Sequence, residues 1–90
     1  MIRKRDRIKI IHDILRTVQE RNGLAGPTHI LYKSNLSYRM LETYLKDLMD
    51  GGFISEKKAR EGKTYSLEPR GFLFLEKYKQ ISEFFEMFGI

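Results

Sequence analysis

The amino-acid sequence predicts a single α+β domain in which three helices are followed by a β-hairpin and then by a long fourth helix. Apolar residues recur every three or four positions before Gly51 and after Pro69, as in helices that bury one face. Between these segments, two short stretches of strand-like composition flank a turn that contains glycine. With 90 residues, 41% of them hydrophobic and 32% charged, the chain has the length and balance of one globular domain.

The first two helices are predicted by periodicity and by proline. We expect the first to run from Asp6 to about Arg21, because its apolar residues recur at spacings of three and four. These residues are Ile8, Ile11, Leu15 and Val18. The Asn-Gly pair at 22–23 ends this helix. Pro27 opens a short second helix over 27–33, since proline at the first helical position loses no hydrogen bond.

The third helix follows a three-residue connection formed by residues 34–36. Ser37 can cap it by accepting a hydrogen bond from a backbone N–H of the first turn. We expect this helix to reach Met49 or Asp50 and to end at the Gly-Gly pair 51–52, because glycine readily adopts the left-handed conformation of many helix ends. Its buried stripe at 100° per residue consists of Leu41, Leu45 and Leu48.

A β-hairpin is predicted after the third helix. Residues 53–57 and 64–67 have strand composition, and residues 60–63 form the turn, in which Gly62 supplies the unusual backbone angles. The hairpin is basic, because its four cations outnumber Glu56 and Glu61. These cations are Lys57, Lys58, Arg60 and Lys63.

The final helix is predicted to run from Pro69 nearly to Phe88. Its aromatic residues and one isoleucine form a heptad seam, widened by Phe84 and Met87. The seam consists of Phe74, Tyr78, Ile81, Phe85 and Phe88. Phe72 and Leu75 lie on a neighbouring face and are expected to pack on the domain.

Such a seam is too apolar to remain in water, so we expect two chains to associate through it. Ile10 and Ile14 of the first helix are candidates to help. The alternative is that the last helix folds back and completes the core of a monomer. In the first interpretation, residues 1–68 form the core of the domain and residues 69–90 its dimerisation helix.

Two helices joined by a three-residue turn and followed by a hairpin are typical of a winged helix-turn-helix. The stretch Thr28 to Tyr38 (THILYKSNLSY), with the apolar positions that follow it as far as Phe53-Ile54, resembles a family of archaeal winged-helix proteins. That family includes small ten-kilodalton chromatin proteins, and the resemblance covers about residues 8–75. It implies binding of double-stranded DNA by a transcriptional regulator or chromatin protein, and dimerisation through the last helices.

In this interpretation the third helix, residues 37–50, is the recognition helix in the major groove. Its outward face carries Arg39, which suits guanine edges, Met40 and Thr43, which suit thymine methyl groups, and Lys46, which suits a phosphate. A solvated helix face is the alternative for these residues. Tyr38 lies on the shoulder of the buried stripe and is expected to pack rather than to contact bases.

Charge supports an acidic partner, since the formal net charge is +5 and the isoelectric point is about 9.6. The hairpin cations are expected to contact the DNA backbone, although lysines also protect sheet edges from aggregation. Arg3, Lys4, Arg5 and Arg7 can add backbone contacts or form a solvated basic end. The full set of expected DNA contacts is Ser37, Arg39, Met40, Thr43, Lys46, Lys57, Lys58, Arg60 and Lys63.

Other classes of function have less support in the sequence. Without cysteine, phosphate loop or a catalytic pattern around His12 and His29, we expect no enzyme, metal or cofactor. Without a membrane-length apolar run or signal peptide, we expect a cytoplasmic, nucleoid-associated protein. The main alternative is a winged-helix module that binds another protein and not DNA. It is kept because Asp47 and Asp50 reduce the positive charge on the outward face of the third helix. Structured RNA ranks last, since no aromatic stacking platform is evident.

Overall fold

The computed structural model describes residues 3–90, with the side chains of the first helix described from Arg7 onward. It contains four helices and one two-stranded antiparallel sheet, in the predicted order. The elements are α1 (Arg3–Glu20), α2 (Pro27–Ser34), α3 (Tyr38–Asp50), β1 (Ile54–Ala59), β2 (Gly62–Leu67) and α4 (Pro69–Met87). The predicted α+β architecture with a long C-terminal helix is therefore confirmed. None of the helices within residues 3–90 is long and apolar enough to cross a membrane.

The connection between α2 and α3 depends on two polar residues. Asn35 takes the left-handed conformation (φ 54°) that ends α2, and asparagine adopts it more readily than most residues. The Ser37 Oγ accepts a hydrogen bond from the Met40 backbone N–H at 3.2 Å, which confirms the predicted N-cap. Asn35 and Ser37 thus set the angle at which α3 leaves α2.

The hydrophobic core lies between α1, α2, α3 and the sheet. Its buried residues are Ile14, Leu15, Val18, Ala25, Ile30, Leu41, Leu45, Leu48, Ile54 and Tyr65. The expected stripe of α1 is wrong in two places: Ile14 is fully buried, whereas Ile8 is 47% exposed. The reason is that α1 packs against α2, β2 and α4 at once, so its C-terminal half is buried over a wider arc than one stripe. Ile14 is therefore not available to a second chain, and Ile10 packs partly against the same core.

The hairpin is longer than predicted. Its pairing runs from Ile54 opposite Leu67 to Ala59 opposite Gly62, so the turn contracts to residues 60–61. Gly62 has a φ of 130°, which side chains rarely tolerate. An isolated bridge joins Tyr65 to Ala25, with the Tyr65 N–H donating to the Ala25 carbonyl oxygen at 2.9 Å. This bridge ties the α1–α2 loop to the sheet.

The start of α4 is fixed to the segment that follows α3. The Glu68 N–H donates to the Phe53 carbonyl oxygen at 3.0 Å, and the Arg70 guanidinium donates to the Gly51 carbonyl oxygen at 2.8 Å. Gly71 is buried so closely against Phe53 that an added Cβ would collide with the Phe53 carbonyl oxygen. These contacts set the direction of α4, which extends past the domain and stretches the molecule to 47 × 27 × 21 Å.

Candidate nucleic-acid interface

The exposed face of α3, together with its N-cap residue Ser37, carries every DNA contact predicted for the third helix. Leu41, Leu45 and Leu48 anchor the opposite face in the core. All five residues predicted to contact DNA from this helix are exposed: Ser37, Arg39, Met40, Thr43 and Lys46. A helix held on one side by a buried leucine stripe presents its other side as a rigid surface.

Arg39 and Thr43 lie one turn apart on this face. The Thr43 hydroxyl donates to the Arg39 carbonyl oxygen at 3.2 Å, so its hydrogen atom is already used and its methyl remains as the apolar contact group. Among the described residues, Arg39 forms no ion pair. Its planar guanidinium is therefore available for a bidentate contact.

The two aspartates on α3 are each paired with a cation. Lys46 Nζ lies 2.8 Å from Asp50 Oδ2, and this hydrogen bond raises the pKa of Lys46 above its ordinary value. The Arg7 guanidinium lies 3.9 Å from Asp47 Oδ2 and 5.4 Å from the centroid of the Tyr44 ring. Both pairs are solvent-exposed and weak, so an incoming phosphate can compete for either cation. The side chains of Arg3, Lys4 and Arg5 lie outside the described residues.

The hairpin, residues 54–67, forms the wing beside α3. Lys58 and Lys63 are directly opposite each other across its two strands, an arrangement that is destabilising unless an anion relieves it. Glu56 offsets this repulsion, because its Oε2 lies 3.1 Å from Lys63 Nζ. The hydrogen bond between them raises the pKa of Lys63 above its ordinary value.

The remaining wing cations have no such partner. Within the described part of the chain, Lys57, Lys58 and Arg60 form no ion pair. All three are exposed. The wing therefore presents to solvent three cations that are unpaired among the described residues, and with Lys63, Glu56 and Glu61 included its net charge is positive.

Tyr38 contradicts its predicted packing role, because it is 63% exposed. As the first residue of α3, it projects toward the helix N-terminus and beyond the edge of the core, which begins at Leu41. It lines a cleft between α3 and the wing that is also lined by Lys63 and Tyr65. Burial and the neighbouring Glu56 raise the pKa of Tyr65 on the inner wall of this cleft.

The predicted seam on α4 divides into two parts. Phe74 packs against the core of its own domain, and Tyr78 stacks on His12 of α1 with ring centroids 4.0 Å apart. Contrary to expectation, Phe72 is 53% exposed and does not pack against the core, whereas Leu75 does.

The second half of α4 and the residues after it leave a contiguous set of apolar side chains in solvent. We refer to it as the terminal apolar patch, which consists of Ile81, Phe84, Phe85, Met87, Phe88 and Ile90. The rings of Phe84 and Phe88 lie 4.9 Å apart. Aromatic side chains that contact each other on a surface are typical of an interaction site.

His12 belongs to the contact between α1 and α4. His12 contacts Tyr78 and lies 3.1 Å from Asp13 Oδ1 through its Nδ1. Among the side chains that the structure describes, no three His, Asp or Glu residues converge as metal ligands do.

The sequence and structure are similar to those of known proteins. A family model for the winged helix-turn-helix matches residues 4–86. An uncharacterised protein of Methanocaldococcus jannaschii is 36% identical over 78 residues, which are 87% of this chain and 34% of that protein. The chain thus spans about a third of the length of that relative.

Two solved structures have a similar fold. Sso10a-2, a DNA-binding protein from Sulfolobus solfataricus, has a TM-score of 0.75 at 23% identity, over 90% of this chain and 82% of that one. TubR, in a complex with 24 base pairs of tubC from Bacillus thuringiensis serovar israelensis, has a TM-score of 0.67 at 20% identity, over 80% of this chain and 81% of TubR. Because the family model covers nearly the whole chain and the architecture agrees with it, this chain belongs to the winged helix-turn-helix family.

Proposed function

We propose that this protein binds double-stranded DNA, with α3 in the major groove and the wing against the phosphate backbone. The observation that carries this proposal is the set of exposed cations at the start of α3 and on the adjoining wing that form no ion pair among the described residues. They are Arg39, Lys57, Lys58 and Arg60. The DNA-binding description of Sso10a-2 and the DNA complex of TubR support the same conclusion.

Each residue of the interface has a role that follows from its chemistry. Arg39 donates two hydrogen bonds to a guanine edge, and Met40 and Thr43 contact thymine methyl groups. The wing cations and Lys46 contact phosphates, which adds sequence-independent affinity through the release of counterions. Ser37 keeps the first turn of α3 in place, so its backbone N–H groups meet the DNA in a fixed orientation.

A nuclear magnetic resonance titration tests where DNA binds. A short duplex added to isotopically labelled protein is expected to shift the amide signals of residues 37–47 and 57–63. Amides of α1 residues that face α4, such as Arg16 and Gln19, are expected to stay unchanged. Shifts confined to α4, with none in α3 or the wing, would contradict the proposed interface.

The Lys46–Asp50 pair makes a separate prediction about affinity. Asp50→Asn releases Lys46 and removes a carboxylate from the exposed face of α3. We therefore expect binding to a random-sequence duplex to strengthen by about threefold and its salt slope to steepen by less than about 0.9, because Lys46 already contacts a phosphate in the wild type and only the competing carboxylate is removed. The measurement is a fluorescence titration at several salt concentrations. Glu20→Gln, which releases Arg16 on α1, is the control and is expected to change neither quantity.

We further propose that the protein acts as a homodimer, as a regulator or as a chromatin component on the nucleoid. The terminal apolar patch is the surface proposed to join the two chains, with Ile81, Phe84, Phe85 and Phe88 at its centre. Phe74 and Tyr78 support the base of α4 from within their own chain. Two recognition helices related by a two-fold axis would read two half-sites and combine their phosphate contacts.

Phe85→Asp tests this dimer, because it places a charge within the patch. We expect the variant to have half the mass of the wild-type protein in light scattering. Gln80→Asp adds the same charge at an exposed polar position of α4 and is expected to leave the mass unchanged. If Phe85→Asp and the wild type have the same mass, the patch does not join two chains.

One set of observations favours a second function, that of a protein–protein module. Glu42, Asp47 and Asp50 place carboxylates on the exposed face of α3, and the terminal apolar patch could bind another protein. This function would replace the first if duplex DNA shifted no amide signal in α3 or the wing.

A further inference from the structure

The position of Tyr38 suggests a role that its sequence pattern does not. Of the three tyrosines around α3 and the wing, Tyr65 is buried and Tyr44 half-buried, whereas Tyr38 leaves most of its ring in water. Tyr38 and Met40 are the exposed apolar side chains of α3, and they flank Arg39 in its first turn. In a helix-turn-helix protein, the first turn of the recognition helix is the part that meets base edges.

The charges beside Tyr38 distinguish between two kinds of DNA contact. The cleft that Tyr38 lines, between α3 and the wing, also carries the carboxylates of Glu42, Glu56 and Glu61 against the single cation Lys63. Lys63 is already paired with Glu56 at 3.1 Å. A phosphate placed there would be repelled, so the uncharged edge of a base is the better neighbour for the ring.

The apolar group that DNA presents in the major groove is the C5 methyl of thymine. We propose that Tyr38 is a specificity-determining residue whose ring packs on a thymine methyl next to the base pair contacted by Arg39. This inference rests on the proposed DNA binding. Tyr38 then contributes to the preference for one DNA sequence over another, whereas the wing contributes affinity for any duplex.

The test begins with a site selected by the wild-type protein from a pool of randomised duplexes. Binding of wild type, Tyr38→Ala and Tyr38→Phe is then measured on the selected site and on a random-sequence duplex. We expect Tyr38→Ala to weaken binding to the selected site by about tenfold and to the random duplex by less than about twofold. Tyr38→Phe keeps the ring and is expected to bind as the wild type does. Tyr32→Ala, at an exposed tyrosine of α2, is the matched control.

Replacing thymines of the selected site with uracil, one at a time, removes only the methyl groups. One such replacement is expected to weaken binding of the wild type but not to weaken binding of Tyr38→Ala any further. This non-additivity in a double-mutant cycle would show that the ring and that methyl group interact. Equal losses on both duplexes, no loss on either, or effects of uracil and Tyr38→Ala that are additive at every thymine of the site would each overturn the inference. A wild-type protein that binds no duplex at all would instead contradict the proposed function, and the inference with it.

Discussion

Replacing Lys57, Lys58 and Arg60 together with glutamine is expected to weaken binding to a random-sequence duplex by about two to three orders of magnitude at about 0.1 M salt. Each phosphate neutralised by a lysine or arginine contributes about 0.9 to the slope of log affinity against log salt concentration. Because these three wing cations form no ion pair among the described residues, their full charge is available to phosphates. We therefore expect the slope to become shallower by about 2.7. Fluorescence anisotropy of a labelled duplex measures both changes.

A matched control separates the position of these charges from their number. Replacing Arg21, Lys77 and Lys79 with glutamine removes the same net charge from exposed sites at the end of α1 and on α4. This control is expected to lower the affinity by less than about threefold, since charges farther away than the Debye length of about 10 Å are largely screened. Equal losses in both triple variants would show that net charge, and not the wing, determines binding.

Gly71→Ala is expected to lower the free energy of unfolding by about 2 kcal/mol, as overpacked sites do. The direction of this change is informative, because alanine ordinarily stabilises a helix by about 1 kcal/mol relative to glycine, so a loss of stability points to a collision. Here the added methyl group would collide with the backbone of Phe53, which two chain segments hold in place. Urea denaturation monitored by circular dichroism measures the change.

Gly26→Ala is the matched control for this substitution. Its added Cβ would lie 3.5 Å from the Lys63 carbonyl oxygen, which is an ordinary contact, and its φ of −92° suits alanine. We expect a loss of less than about 1 kcal/mol, the cost of alanine at an N-cap position. If Gly71→Ala were as stable as the wild type, α4 would not be held against residues 51–53 as described.

The fold could be predicted because each element carries its own local signal. Pro27 and Pro69 mark helix starts, Ser37 is a cap, and the glycines at 51–52 end a helix. These signals act over a few residues and so are present in the sequence itself. The bridge between Ala25 and Tyr65 has no such signal, because a single residue pair produces no periodicity.

The candidate site was predicted less completely, for reasons of geometry. A helical wheel treats α3 as infinitely long, so it places Tyr38 beside the leucine stripe, although the core begins only one turn later, at Leu41. The heptad seam of α4 was likewise treated as one surface, whereas α1 covers its first half, including Tyr78. The pairing of Arg7 with Asp47 joins two helices and has no counterpart in local sequence.

The account as a whole depends on contact between this protein and the phosphates of duplex DNA. The most direct test is the anisotropy of a labelled random-sequence duplex titrated with wild-type protein at several salt concentrations. We predict that log affinity falls linearly with log salt concentration, with a slope at least as steep as about −3.6, the value for four phosphate contacts made by Lys46, Lys57, Lys58 and Arg60. Binding that is absent at low salt, or that does not change with salt, would contradict the proposed function.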